Sequence, residues 1–160
     1  MQPTTYYLTL SQVFPASHPK AGEETGFKPK LFAALNNMPC YVKKLHTIRA
    51  NYELWSKRFK KIERGEAILS IREWVGKPYG KGSTQREIAR LSYEDGIGIE
   101  RLKFVKSDNF MPYVNYKPVG VGNLANNDGL SINDWEEWFK GYDLSKPLAI
   151  IHFTNFRYRQ

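Results

Sequence analysis

Lysine, threonine and arginine crowd together in Lys43-Lys44-Leu45-His46-Thr47-Ile48-Arg49. A threonine hydroxyl is a weak nucleophile at its ordinary pKa and needs a neighbouring base. A lysine partly desolvated beside other cations, here Lys43 and Arg49, gives up its proton more readily and could be that base. An arginine is suited to a ligand oxygen or phosphate. The plain alternative is that Thr47 is an ordinary strand residue and that Lys44 and Arg49 are solvated charges.

The elements around this stretch decide what it can do. It is rich in β-formers and reads as a strand, in which side chains alternate. Leu45, Thr47 and Arg49 would then share one face, and Lys44, His46 and Ile48 the other. Lys44 and Thr47 can meet at one site only if Lys44 lies in the loop before the strand or a bulge re-aims it.

Upstream, Tyr6 to Phe14 reads as a first strand, residues 15–27 as a polar surface loop, and Leu31 to Leu35 as a short helix ended before Pro39. Downstream, Asn51 is a candidate N-cap for a helix from Tyr52 to Arg64, with Trp55, Phe59 and Ile62 as its buried stripe and Gly65 as its stop. Lys57, Lys60, Lys61 and Arg64 fall on the opposite face, either as a solvated surface or as phosphate contacts. Ala67 to Val75 is a clear strand, and it runs into a turn with two lysines and three glycines (Gly76 to Ser83) that lacks P-loop spacing.

Gln85 to Leu91 and Ile97 to Val105 read as further strands, separated by a turn at Ser92 to Gly96. Residues 107–130 read as a loop carrying Phe110, Tyr113 and Tyr116, aromatics that either cover one end of the core or stack on bases. Ser131 opens a short helix with Ile132, Trp135 and Phe139 as its buried stripe, and Leu148 to Phe153 is apolar enough to be a buried closing strand.

The order K-x-x-T-I-R, amphipathic helix, Gly, apolar strand and W-x-G-x-P-Y (Trp74-Val75-Gly76-Lys77-Pro78-Tyr79) resembles the ASCH-domain family, a branch of the PUA-like β-barrels. The similarity runs from about Lys44 to Leu91, with a weaker echo in the last helix and strand. It implies an α+β fold, a PUA-like mixed β-barrel with flanking short helices. The chain would be one such domain over residues 1–160, with residues 1–40 as an N-terminal extension of strand, loop and helix.

Many ASCH domains look like nucleic-acid-binding modules. Some small bacterial members are amidohydrolases that deacetylate acetylcytidine through a Lys, a Thr and a Glu ahead of the last helix. By that resemblance the Lys is Lys44, the Thr is Thr47 and the carboxylate is Asp128. Asp128 is one methylene shorter than the family's Glu, and Gly129 beside it is expected to loosen its placement. The leading implied function is a nucleic-acid or modified-nucleotide-binding domain. Its cleft would be lined by Lys44, Thr47, Arg49 and Trp74, with Lys77 and Tyr79 as further ligand contacts. Lys43, Lys57, Lys60, Lys61 and Arg64 would meet phosphates. The alternative is an amidohydrolase using Lys44, Thr47 and Asp128. A third reading is an adaptor that binds a protein partner through the N-terminal segment and the aromatic loop.

Composition narrows the field without choosing among these. The formal net charge is +8, and Lys28 to Lys106 holds 18 Lys and Arg against 8 Asp and Glu. Such a concentration suits RNA, DNA or a phosphorylated small molecule, or serves solubility alone. The single cysteine, Cys40, can form no intramolecular disulfide and is expected to be a small inert thiol. His18, His46 and His152 are far apart in sequence, so no metal or organic cofactor is expected. No segment reads as membrane-spanning and the N-terminus carries no basic leader pattern, so a cytoplasmic protein is expected.

Overall fold

The structure is a computed structural model describing residues 2–39 and 41–159, so Cys40 and the expectation attached to it lie outside the described residues. Among the described residues there are eight strands and four α-helices in the order β1 (Thr4–Leu10), α1 (Phe27–Leu35), β2 (His46–Arg49), α2 (Tyr52–Glu63), β3 (Ala67–Val75), β4 (Thr84–Leu91), β5 (Gly98–Val105), β6 (Met111–Val114), β7 (Lys117–Pro118), α3 (Val121–Asn127), α4 (Ile132–Phe139) and β8 (Leu148–His152). The fold is mixed α and β. None of these helices is long and apolar enough to cross a membrane.

The strands form two sheets, and neither closes into a barrel. One is three-stranded in the order β1-β3-β4, with β1 parallel to β3 and β3 antiparallel to β4. The other is five-stranded and antiparallel in the order β2-β8-β5-β6-β7. Helix α2 carries the chain from the second sheet to the first. Its apolar side (Trp55, Phe59, Ile62) is buried and its basic side faces solvent. Every residue of β8 is buried, as expected of a strand with neighbours on both edges. One apolar cluster joins both sheets, and it includes Leu8, Leu10, Phe14, Phe27 and Leu31. The N-terminal segment from Leu8 to Leu31 therefore helps to build the core.

Local signals explain most element boundaries. The Asn51 side chain accepts the Leu54 N–H at the start of α2, and Gly65 ends that helix in the left-handed region (φ 75°). Four expectations need correction. Strand β1 stops at Leu10, because the chain folds back and Val13 bridges Glu24. Helix α1 begins at Phe27 and includes Pro29, which is tolerated because the first-turn N–H groups have no intrahelical partner in any case.

Residues 107–130 are largely ordered as β6, β7 and α3. The two tight turns flanking β6 place Asn109-Phe110 and Asn115-Tyr116 at positive φ, a backbone state in which aromatics are rare. Phe110 and Tyr116 are exposed there and do not cap the core. Finally, Ile132 sits in the first turn of α4 and is exposed, so Trp135 and Phe139 alone bury fully on that helix.

Candidate functional site

Lys44 lies just before β2 and not in it, which resolves the strand-alternation problem. Its backbone makes an isolated bridge to Asp128, its N–H donating to the Lys30 carbonyl, and β2 begins two residues later. Thr47 and Arg49 then follow on one face of β2. Asp128 is the C-cap of α3, its N–H donating to the Leu124 carbonyl at 3.0 Å.

Lys44 is 1% exposed. Its ammonium donates to Asp128 Oδ1 at 2.6 Å and to the Asp128 carbonyl at 2.9 Å, and lies 3.9 Å from the centre of the Phe27 ring. The reading of Lys44 as a solvated charge is thus overturned: it is among the most buried side chains in the molecule. Burial pushes its pKa below the ordinary lysine value, and the Asp128 charge offsets this only in part. For Asp128, burial acts upward, but the Lys44 charge and the neighbouring His46 outweigh it and hold the carboxyl below its usual range. The two directions agree with a charged pair whose lysine is the easier member to neutralise.

Gly129 does not loosen Asp128. It adopts φ +79°, its carbonyl accepts the Lys30 ammonium at 2.7 Å, and an added Cβ would come within 3.2 Å of Lys30 Cδ and 3.4 Å of Lys44 Cβ. Gly129→Ala is expected to cost about 1–2 kcal/mol from the left-handed backbone alone. The check is the urea midpoint, which must fall; an unchanged midpoint would contradict the pinned turn.

Lys44, Thr47, Arg49 and Asp128 line one small cavity, together with Ser11 and Trp138 among others. Its open volume of about 20 Å³ is room for a single water. Arg49, Ser11 and Trp138 also line an open cleft of about 650 Å³, which Tyr79 and Tyr142 border. The small cavity therefore adjoins that cleft through these three shared residues. Arg49 stands at the junction and donates to the Thr9 carbonyl at 2.6 Å, tying β2 to β1 across the two sheets.

The remaining expected residues divide. Tyr79 is at the cleft rim, 89% exposed, and packs on Trp74 with ring centroids 4.9 Å apart. Trp74 thus supports the rim residue and lines neither the cavity nor the cleft, and exposed Lys77 lines neither as well. Lys43 lines a separate groove with Leu45 and Asn127 and donates to Asn37 Oδ1 at 3.0 Å. Lys57, Lys60, Lys61 and Arg64 are exposed along α2 and line neither the cavity nor the cleft, and Arg64 pairs with Glu66. The structure does not bring the basic helix face to the Lys44 site.

Four wall residues carry no local signal in the sequence: Ser11, Phe27, Trp138 and Tyr142. They reach the site from the β1 end, α1 and the α4 end through tertiary packing alone. Among the described residues no group of three or more His, Cys, Asp and Glu is placed to hold a metal ion. The chain matches no protein-family model, no curated protein and no solved structure.

Proposed function

We propose that the chain is a PUA-like domain of the ASCH type, with its two sheets as an opened barrel, and that its cleft binds a nucleoside or nucleotide. One observation carries this reading: Arg49 is shared by the cleft and by the adjoining cavity of Lys44, Thr47 and Asp128. A guanidinium at the junction offers donors to a base carbonyl or phosphate, and Tyr79, Tyr142 and Trp138 provide flat apolar walls for a base. The position of the α2 lysines outside the cleft favours a single nucleotide over a long polyanion.

The test is titration with cytidine and with its monophosphate, followed by tryptophan fluorescence, since Trp138 lines the cleft. Saturable binding is expected, weakened about tenfold or more by Arg49→Lys, which loses the planar fork. Because few phosphates are engaged, affinity should fall only slightly between 50 and 200 mM salt, far less than the roughly thousandfold or greater loss for six or more phosphate contacts. No binding of either compound at low salt would overturn the reading.

The convergence of Lys44, Thr47 and Asp128 favours a second reading, hydrolysis of an acylated cytidine. Thr47 Oγ1 would attack the acyl carbon, its proton passing to neutral Lys44 (oriented by Asp128) and from there to the cytidine amine as the C–N bond breaks. Water, giving its proton to Lys44, would then hydrolyse the Thr47 ester and release the acid. Thr47→Val keeps the β-branched shape and removes the hydroxyl. It is expected to lower release of cytidine from acetylcytidine by about a hundredfold or more. Full activity in that variant would exclude Thr47 as nucleophile.

A further inference from the structure

His46 and Tyr158 are joined to the Lys44–Asp128 pair by contacts that no role assigned so far uses. His46 is fully buried at the first position of β2 and directly paired across the sheet with His152 of β8. Its Nε2 lies 2.6 Å from the Tyr158 hydroxyl. Its Nδ1 is buried, has no hydrogen-bond partner, and lies 3.8 Å from Asp128 Oδ1, the oxygen that Lys44 holds.

The proton positions follow from counting donors. The Tyr158 hydroxyl accepts from Asn127 Nδ2 at 3.0 Å, so its own proton is free to donate. Its choices are His46 Nε2 at 2.6 Å and the Asn123 carbonyl at 3.4 Å, and the shorter contact wins. Nε2 then accepts, and a neutral ring must carry its proton on Nδ1. The opposite tautomer would aim a lone pair at the Asp128 carboxylate and leave Tyr158 with the long contact only. Both ends of the ring favour the same form.

His152 is set the other way. Its Nε2 lies 2.8 Å from Glu100 Oε1, and a carboxylate can only accept, so Nε2 carries the proton. Glu100 also accepts the backbone N–H of Tyr158 at 2.8 Å and of Arg159 at 3.2 Å. This contact holds the C-terminal segment where the Tyr158 hydroxyl meets His46. The charged and titratable groups facing His46 are thus Asp128 and Lys44 on one side, Tyr158 on another and His152 across the sheet.

We propose that Tyr158 locks His46 as the Nδ1–H tautomer, so that the C-terminal segment holds His46 ready as a second donor to Asp128 when Lys44 is neutral. A buried donor left unpaired is costly, and one facing a carboxylate just beyond bonding distance is placed to close on it. While Lys44 is charged it holds Asp128. When Lys44 loses its proton, the neutral amine still offers Asp128 an N–H but no charge, and a small turn of the carboxylate toward His46 adds a second bond to the buried charge. His46 and Tyr158 are positioning residues. The tautomer assignment stands on geometry alone, and only its effect on turnover rests on the hydrolase reading.

The experiment is nitrogen-15 NMR of the histidine rings of the full chain at neutral pH. Opposite neutral tautomers are expected, Nδ1–H for His46 and Nε2–H for His152. An Nε2–H form of His46 would overturn the proposal. In Tyr158→Phe the single-tautomer pattern of His46 should be lost while that of His152 persists, which also reports that the fold is intact. A His46 that stays wholly Nδ1–H in this variant removes Tyr158 as the lock and equally overturns the proposal. If the variant fails to fold, the wild-type spectrum alone decides. Wild-type protein that shows both tautomers but releases no cytidine from acetylcytidine supports the assignment and counts against the hydrolase reading only.

Discussion

Lys44→Met is expected to lower the unfolding free energy by about 3–5 kcal/mol, the cost of leaving one member of a buried ion pair behind. Asp128 is 3% exposed, and its Oδ1 depends on the Lys44 ammonium at 2.6 Å, with His46 Nδ1 too distant for a normal bond at 3.8 Å. Without Lys44 the carboxylate must either stay charged in a poor solvent, with only the His46 Nδ1–H to turn toward, or take up a proton. Removing both charges in Lys44→Met/Asp128→Leu is expected to recover a large part of the loss, because the pair is desolvated as a unit and an apolar replacement carries no such penalty.

Urea midpoints of the wild type, the two single variants and the double variant provide the measurement. A Lys44→Met cost below about 1 kcal/mol, the range of exposed pairs, would show that the pair is solvated in solution. This expectation also bears on the hydrolase test. Loss of turnover in a Lys44 variant is expected from either chemistry or stability, whereas Thr47→Val leaves the ion pair in place and isolates the chemistry.

Stability is expected to fall by about 3 kcal/mol as pH drops from 6.5 to about 4, through His152 alone. Burial is the main cause of its low folded pKa of about 4, and the hydrogen bond to Glu100 offsets it only partly. The sign follows from which state binds the proton. Between the ordinary value of 6.5 and about 4, the unfolded histidine is protonated and the folded one is not, so falling pH draws the chain to the unfolded state. Below about 4 both forms are protonated and this contribution stops changing.

Two carboxylates act next in the same direction. Burial raises the pKa of Glu100, but the His152 hydrogen bond and the Tyr158 and Arg159 N–H groups outweigh it, and the net shift is downward, as for Asp128. Their stabilisation is complete above the ordinary carboxylate range and is lost as pH falls through their lower folded values. The urea midpoint against pH checks this: a decline that begins near 6.5, steepens below the ordinary carboxylate range, and loses its upper part in His152→Gln. A midpoint flat down to pH 5 would refute the buried neutral histidine.

Much of the scaffold was legible from local pattern. The Asn51 cap, the Trp55–Phe59–Ile62 stripe and the Gly65 stop define α2 within its own residues. The nine residues Ala67–Val75 and the all-buried Leu148–His152 announce β3 and β8 by composition. These signals succeed because helix capping and side-chain periodicity act over a few residues. Residues 107–130 were not legible, because the turns that make β6 and β7 put Phe110 and Tyr116 in a backbone state that aromatics rarely take.

At the site, local spacing supplied a lysine, a threonine and an arginine around one strand, and the family resemblance pointed to a carboxylate ahead of the last helix. Tertiary structure decided what they became. Lys44 and Asp128 are 84 residues apart in the chain, and their union depends on α3 delivering its C-terminus beside the entry to β2. No local pattern encodes that approach, nor the burial that lowers the Lys44 pKa. The same holds for His46, whose hydrogen-bond partner Tyr158 lies 112 residues further on. Spacing along a chain specifies which atoms share a helix or strand face. Desolvation, ion pairing and tautomer choice depend on which atoms arrive from elsewhere, and packing alone settles that.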